Sequence, residues 1–135
     1  MLKNKWIYIL LVGLLSGSCQ KDVKLNLINT IECSPMPEAV AASCSFAYNG
    51  DIYIFGGRTN DGARTNRLWK YTPSTDQWTS LGETPIKARV SSSACVIDDK
   101  VYIGLGYSGY IHRDESYLRD FWAYSPSSQE WKRLA

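Results

Sequence analysis

Gly104, Gly106 and Gly109 spell G-x-G-x-x-G, the spacing at which a bare backbone can wrap a pyrophosphate. That chemistry also needs a helix directly after the glycines, because its N-terminal N–H groups hold the phosphates. Here the following residues, YIHRDESYLRDFW, align with an earlier stretch, RTNDGARTNRLW, that reads as loop and then strand, so nucleotide binding is not expected. His112 is the only histidine. It has no evident serine partner for a nucleophilic triad, and one histidine cannot build a His-rich zinc site. Asp61, Asp114 and Glu115 sit on long polar loops, where solvated charge is a commoner role than paired acid–base work. Cys33, Cys44 and Cys95 show no C-x-x-C spacing. No metal site and no cofactor are expected, and catalysis is not the leading expectation.

The elements that position these residues come from a repeat. Residues 43–54 lie over 92–103 at a shift of 49, and LWKYTPSTDQW (68–78) lies over FWAYSPSSQEW (121–131) at a shift of 53. A period near 50 belongs to one class of repeat architecture, the blade of a β-propeller. Each copy reads as four short strands. The first covers about 42–48 and 91–97, ending in a tight turn at Asn49-Gly50 or Asp98-Asp99. The second covers about 51–55 and 100–104 and is apolar on both faces, as a strand covered from both sides should be. After a long loop, the third carries Leu68–Tyr71 or Phe121–Tyr124. A Pro-Ser turn then leads to a fourth strand beginning at Trp78 or Trp131. The fold class is all-β. Cys95 aligns with Phe46 and is expected to fill space between blades, while Cys33 and Cys44 could pair in an exported protein.

Gly56-Gly57 after a strand, then Trp69, Tyr71 and Trp78, resembles the kelch-repeat β-propellers, the galactose oxidase/kelch type. The second copy answers with Gly104, Gly106, Trp122, Tyr124 and Trp131, Leu105 replacing the first glycine of the pair. The resemblance implies two four-stranded antiparallel blades, residues 35–84 and 85–135, of an incomplete propeller. Propellers typically close with about 4–8 blades. Open blade faces therefore imply missing blades or association of several chains. A copper centre of the galactose oxidase kind draws on several His and Tyr ligands, which this chain does not supply.

In the same family the loops between strands two and three gather at one mouth of the central channel, with those leading into strand one. By that resemblance the ligand-binding candidates are Arg58, Asn60, Asp61, Arg64, Arg89, Tyr107, Tyr110, His112 and Arg113. Arginine forks suit carboxylates and tyrosine offers a flat face with a polar tip. The implied function is non-catalytic binding of a carbohydrate or protein. A sugar-active enzyme similar to the sialic-acid mutarotases, with its key residues on other blades, is the alternative. A truncated product without a function of its own is the third reading.

Residues 1–19, MLKNKWIYILLVGLLSGSC, run from a short positive end through an apolar stretch to small residues, the order of a signal peptide. The apolar run is about 10 residues, against roughly 20 needed to span a bilayer as a helix. LSGSC resembles the lipobox of bacterial lipoproteins, which places lipidation at Cys19, and Gln20-Lys21-Asp22 resembles a short outer-surface export tag. Residues 20–34 then read as a linker holding a lone outer strand at 23–31. The expected location is the surface of the bacterial outer membrane, with the lipid as the only membrane contact. Removing Lys3 and Lys5 from 15 basic residues leaves 13 against 13 acidic ones, a balance unlike the basic stripe of nucleic-acid binders.

Overall fold

The structure, a computed structural model, describes residues 31–109 and 117–135. Its elements all lie in one compact unit, Cys33–Ala135. In chain order they are β1 (Val40–Ala41), β2 (Cys44–Tyr48), β3 (Asp51–Phe55), β4 (Arg58–Thr59), β5 (Arg67–Thr72), β6 (Gln77–Glu83), β7 (Ser93–Ile97), β8 (Lys100–Gly104), β9 (Phe121–Ser125) and β10 (Glu130–Arg133). Two four-stranded antiparallel sheets result, ordered β2-β3-β5-β6 and β7-β8-β9-β10. These are the two blades expected from the repeat. The sequence reading missed the two-residue ribbon β1–β4, in which Val40 pairs with Thr59 and Ala41 with Arg58. The lone strand expected at 23–31 falls outside the described residues, apart from Ile31.

Side chains alternate across a strand, so the register assigns each residue to a face. Phe46 lies opposite Tyr53, Cys44 opposite Phe55 and Phe55 opposite Leu68, which gives sheet one a continuous apolar face. On sheet two, Val101 lies opposite Tyr124 and Ile103 opposite Trp122. These two faces meet in one core, joined by Ile86 from the connection between blades. Phe55, Val101 and Ile103 are fully buried. Each such side chain contributes about 1.5–3 kcal/mol when withdrawn from water, so this interface is the main source of cohesion between the sheets. Burial pushes the Cys44 thiol up from its ordinary range, against a smaller opposite effect of its hydrogen bond with Ser92.

Cys95 corrects the expectation drawn from its alignment with Phe46. It pairs with Tyr102 on the far face of sheet two and is exposed. The equivalent face of sheet one is covered by the second blade, whereas that of sheet two is not. No disulfide joins Cys33, Cys44 and Cys95.

The repeated aromatic phrase forms the outer hairpins. Tyr71 packs on Trp78 with ring centroids 5.0 Å apart, and Tyr124 stacks on Trp131 at 4.2 Å. The Pro-Ser turns close alike, with Asp76 at φ 52° and Gln129 at φ 58°. In blade one a strap at 34–38 runs along the aromatic face. Trp78 Nε1 donates to the Ser34 carbonyl at 2.9 Å, and Trp69 Nε1 donates to Glu38 Oε2 at 3.0 Å. Tyr71 donates its hydroxyl to Asp76 Oδ1 at 2.6 Å, and Ser34 donates both its N–H and its hydroxyl to the same carboxylate. The Asp76 carboxylate, and secondarily the Cys33 thiol, hold the Tyr71 hydroxyl far above the usual phenol range, while Tyr71 and Ser34 hold Asp76 below the usual carboxylate range.

Candidate functional site at the blade rim

The loop after β3 begins where Phe55 ends the strand. Gly56 and Gly57 follow at φ 66° and 112°, and the N–H of Gly57 donates to the carbonyl of Arg89 at 2.8 Å. A Cβ on Gly56 would stand 2.8 Å from that same carbonyl oxygen. The diagnostic glycines thus let blade one approach the backbone leading into blade two.

Beyond them, residues 58–64 fold back on themselves. Thr59 N donates to Ala63 O and Gly62 N to Thr59 O, both at 2.9 Å. Asp61 accepts from the Thr59 hydroxyl and, at 3.2 Å, from the Ala63 N–H. Those bonds hold its carboxyl below the usual range, the Thr59 hydroxyl first among them. Asp61 is therefore turn chemistry, with Gly62 at φ 87° completing the bend. Asn66 also serves the frame, donating from Nδ2 to the Thr84 carbonyl at 2.9 Å.

The turn brings Arg58 opposite Arg64 through an isolated bridge. The Arg64 guanidinium lies over the Tyr107 ring at 5.3 Å, and Tyr107 tilts against Tyr117 at 5.3 Å. A cation over a tyrosine face contributes about 0.5–1 kcal/mol when exposed and more when desolvated. Arg58, Asn60, Asp61, Arg64 and Tyr107 therefore gather on one rim formed by both blades. A groove of about 470 Å³ runs beside it, between residues 39–41 and 58–62. Tyr110, His112 and Arg113 lie outside the described residues.

Arg89 departs from its expected role. Its side chain has 0% exposure, and its guanidinium grips Asp120 through two bonds of 2.7 Å. Nη1 also donates to the Leu105 carbonyl at 2.8 Å and Nε to the Lys87 carbonyl at 2.9 Å. These donors are committed inside the chain. Arg89 is a brace between the blade connection and the start of β9, not a ligand residue, because its buried guanidinium is spent on Asp120 and two carbonyls.

Sequence reasoning missed Tyr117, which extends the aromatic rim, and a second groove of about 650 Å³ where Lys87, Arg119 and Arg133 flank Trp122. The one available signal was the basic-aromatic run YLRDFW. Among the described residues, no three His, Cys, Asp or Glu side chains are placed to hold a metal ion. No helix among them is long and apolar enough to cross a membrane.

Comparison with known proteins follows the same lines. The family model described as the KLHDC2/KLHL20/DRC7 Kelch-repeats domain matches residues 19–135. Kelch-like protein terF of Aspergillus terreus is 34% identical over 120 residues, which is 82% of this chain and 26% of the relative. Mouse Kelch-like protein 35 is 28% identical over 102 residues, 76% of this chain and 16% of its own length. Human Kelch domain-containing protein 3 is 34% identical over 88 residues, covering 58% of this chain and 22% of the relative.

Proposed function

The chain belongs to the kelch-repeat family, and from that premise we propose that it is a non-catalytic binding module whose rim loops hold an acidic segment of a protein partner. It spans only 26% and 16% of the first two relatives described above, so this reading concerns the rim present in these two blades. The observation that carries it is the pairing of Arg58 with Arg64, the latter spread over Tyr107. A guanidinium over an aromatic plane, with the exposed Arg58 on the strand bridged to it, suits carboxylates set on a short apolar stem, as in Asp- and Glu-rich peptides. Asp61 is held by its own turn and stays anionic at neutral pH, so the arginines beside it must outweigh its charge for such a ligand to bind.

An array of acidic peptides, run beside an array of sialylated glycans, tests the assignment on the full chain. Binding to acidic peptides is expected, weakened about tenfold or more, or roughly 1.4 kcal/mol, by Arg58→Ala with Arg64→Ala. Binding confined to the glycans would replace the protein ligand with an acidic sugar. Interconversion of sialic-acid anomers by the same sample would favour the enzymatic alternative.

We further propose that the chain is exported and lipid-anchored through Cys19. The support is the positive, apolar and small-residue order of residues 1–19 ending at that cysteine. Radiolabelled palmitate should enter the wild-type chain in a Gram-negative host and should be absent from Cys19→Ser, which should leave the membrane fraction. Equal labelling of both would remove the anchor from the picture.

A further inference from the structure

The bridge between Arg58 and Arg64 has a twin in the second repeat. Tyr107 and Tyr117 stand at the equivalent positions and are bridged in the same way. One blade thus gives the rim two arginines and the other gives it two tyrosines. Tyr117 is 73% exposed and also lines the groove of about 650 Å³ beside β9, so rim and groove share a residue.

That groove lies between the connection entering blade two and the strands β9 and β10. Its basic residues come from three separate segments: Lys87 from the connection, Arg119 from the approach to β9, and Arg133 from β10. All three are exposed. None of them joins an acid among the described residues, where the ion pairs are Lys70–Asp51 and Arg89–Asp120. Arg133 donates its Nε to the Ala135 carbonyl at 3.0 Å and keeps its Nη groups for other acceptors. Asp120 also lines the groove, but the buried Arg89 neutralises it. The local charge is therefore positive.

The blade fold does not demand this charge. The repeat equivalents of Lys87, Arg119 and Arg133 in blade one are Glu38, Asn66 and Ser80, one acidic and two neutral. There Glu38 accepts from Trp69 Nε1 at 3.0 Å. In blade two Trp122 Nε1 turns instead to Asp120 at 2.8 Å, and a lysine takes the place of the acid.

We propose that the groove is a second anion subsite for the same partner: the acidic segment held at the rim continues over Tyr117 and sets a second cluster of carboxylates against Lys87, Arg119 and Arg133. This continuation rests on the rim reading above, and it fixes the ligand's length and charge pattern as well as its sign. Arg64, Tyr107 and Tyr117 follow one another at two spacings of 5.3 Å. An extended peptide advances about 3.3 Å per residue, so about four residues between the clusters suffice to cross the rings. The second cluster then binds at the high effective concentration set by that short connection.

Fluorescence anisotropy on the full chain tests this with two labelled peptides of equal length. One carries two Asp/Glu clusters about four residues apart, and in the other the second cluster is serine. The two-cluster peptide should bind about tenfold or more tightly than its one-cluster counterpart. That advantage should shrink as salt is raised from about 50 mM to about 300 mM. Arg119→Ala with Arg133→Ala should reduce it to about twofold or less while the one-cluster peptide still binds. Lys87→Glu, an independent change at an exposed position on a different segment, should do the same. Equal affinity of the two peptides, or an advantage that survives both sets of substitutions, would overturn the second subsite and leave the rim reading standing. Binding of neither peptide would overturn the rim reading and the second subsite together.

Discussion

Asp120→Ala is expected to cost about 3–5 kcal/mol of stability and to lower the melting temperature by about 10 °C or more. The Arg89 side chain it serves is wholly buried, whereas the Asp120 side chain keeps 14% exposure. Removing the carboxylate leaves a guanidinium with no counter-charge in a dry site, and it also removes the acceptor for Trp122 Nε1 at 2.8 Å. Arg89→Met should cost less, because the remaining carboxylate reaches water. Removing both charges together, Arg89→Met with Asp120→Leu, should recover part of the loss, since a buried pair replaced by apolar groups avoids the desolvation of both ions.

The same pair sets a pH dependence. Hydrogen bonding from Arg89, and to a lesser degree from Trp122, holds the Asp120 carboxyl below the usual range despite its partial burial. The folded value thus lies below the unfolded value of about 3.9. The resulting stabilisation is present above about pH 4 and disappears as pH falls through the folded value. Asp61 and Asp76 titrate in the same direction, so the informative quantity is the difference in melting temperature between wild type and Arg89→Met. That difference should shrink on acidification below about pH 4. A difference that stays constant down to pH 2, or an Asp120→Ala variant that melts with the wild type, would reduce the pair to an ordinary surface contact.

How far the fold could be read from the residues depends on which physical feature carried each signal. β3 and β8 announced themselves through runs such as Ile52–Phe55 that no exposed strand would carry. The outer hairpins were legible because Trp, Tyr and Pro recur at fixed spacing. The repeat runs deeper in the backbone than in the side chains. Ala42 and Ser91 share φ near 55°, at 54° and 55°, and Gly56 and Leu105 sit at 66° and 62°. A residue comparison sees no likeness in either pair.

The ribbon β1–β4 stayed hidden because two residues make no period. Arg89 misled for a different reason. Its position in sequence, ahead of β7, is a mouth position, but whether an arginine there faces solvent or a buried acid depends on Asp120, 31 residues away. Residue type alone does not distinguish the two. Tyr107 and Arg64 were assigned to one region through the family resemblance. Their stacking, which makes the rim a single surface, is a contact between blades that linear spacing does not encode.

Gly106→Ala should be nearly as damaging as the loss of Asp120, at about 2–4 kcal/mol. Gly106 sits at φ 93°, well beyond the left-handed helical range that Leu105 occupies at φ 62°. A side chain held at such an angle is strained by about 1–3 kcal/mol. The added Cβ would also stand 2.6 Å from the Val90 oxygen and 3.0 Å from the Ser92 nitrogen. Neither obstacle is a rotatable side chain, so backbone has to move. The backbone nearest at hand is the bridge in which Val90 N donates to Tyr107 O at 3.0 Å and Tyr107 N returns to Val90 O at 2.9 Å. Opening it would shift Tyr107 from beneath Arg64, so the variant should lose binding to acidic peptides along with stability. Leu105→Ala is the control. That side chain is 53% exposed at an angle an L-residue can hold, and the change should stay within about 1 kcal/mol. If Gly106→Ala and Leu105→Ala melt together, the close approach is not what requires glycine. If Gly106→Ala is destabilised but still binds acidic peptides at wild-type strength, the Arg64–Tyr107 contact is not the ligand-holding surface.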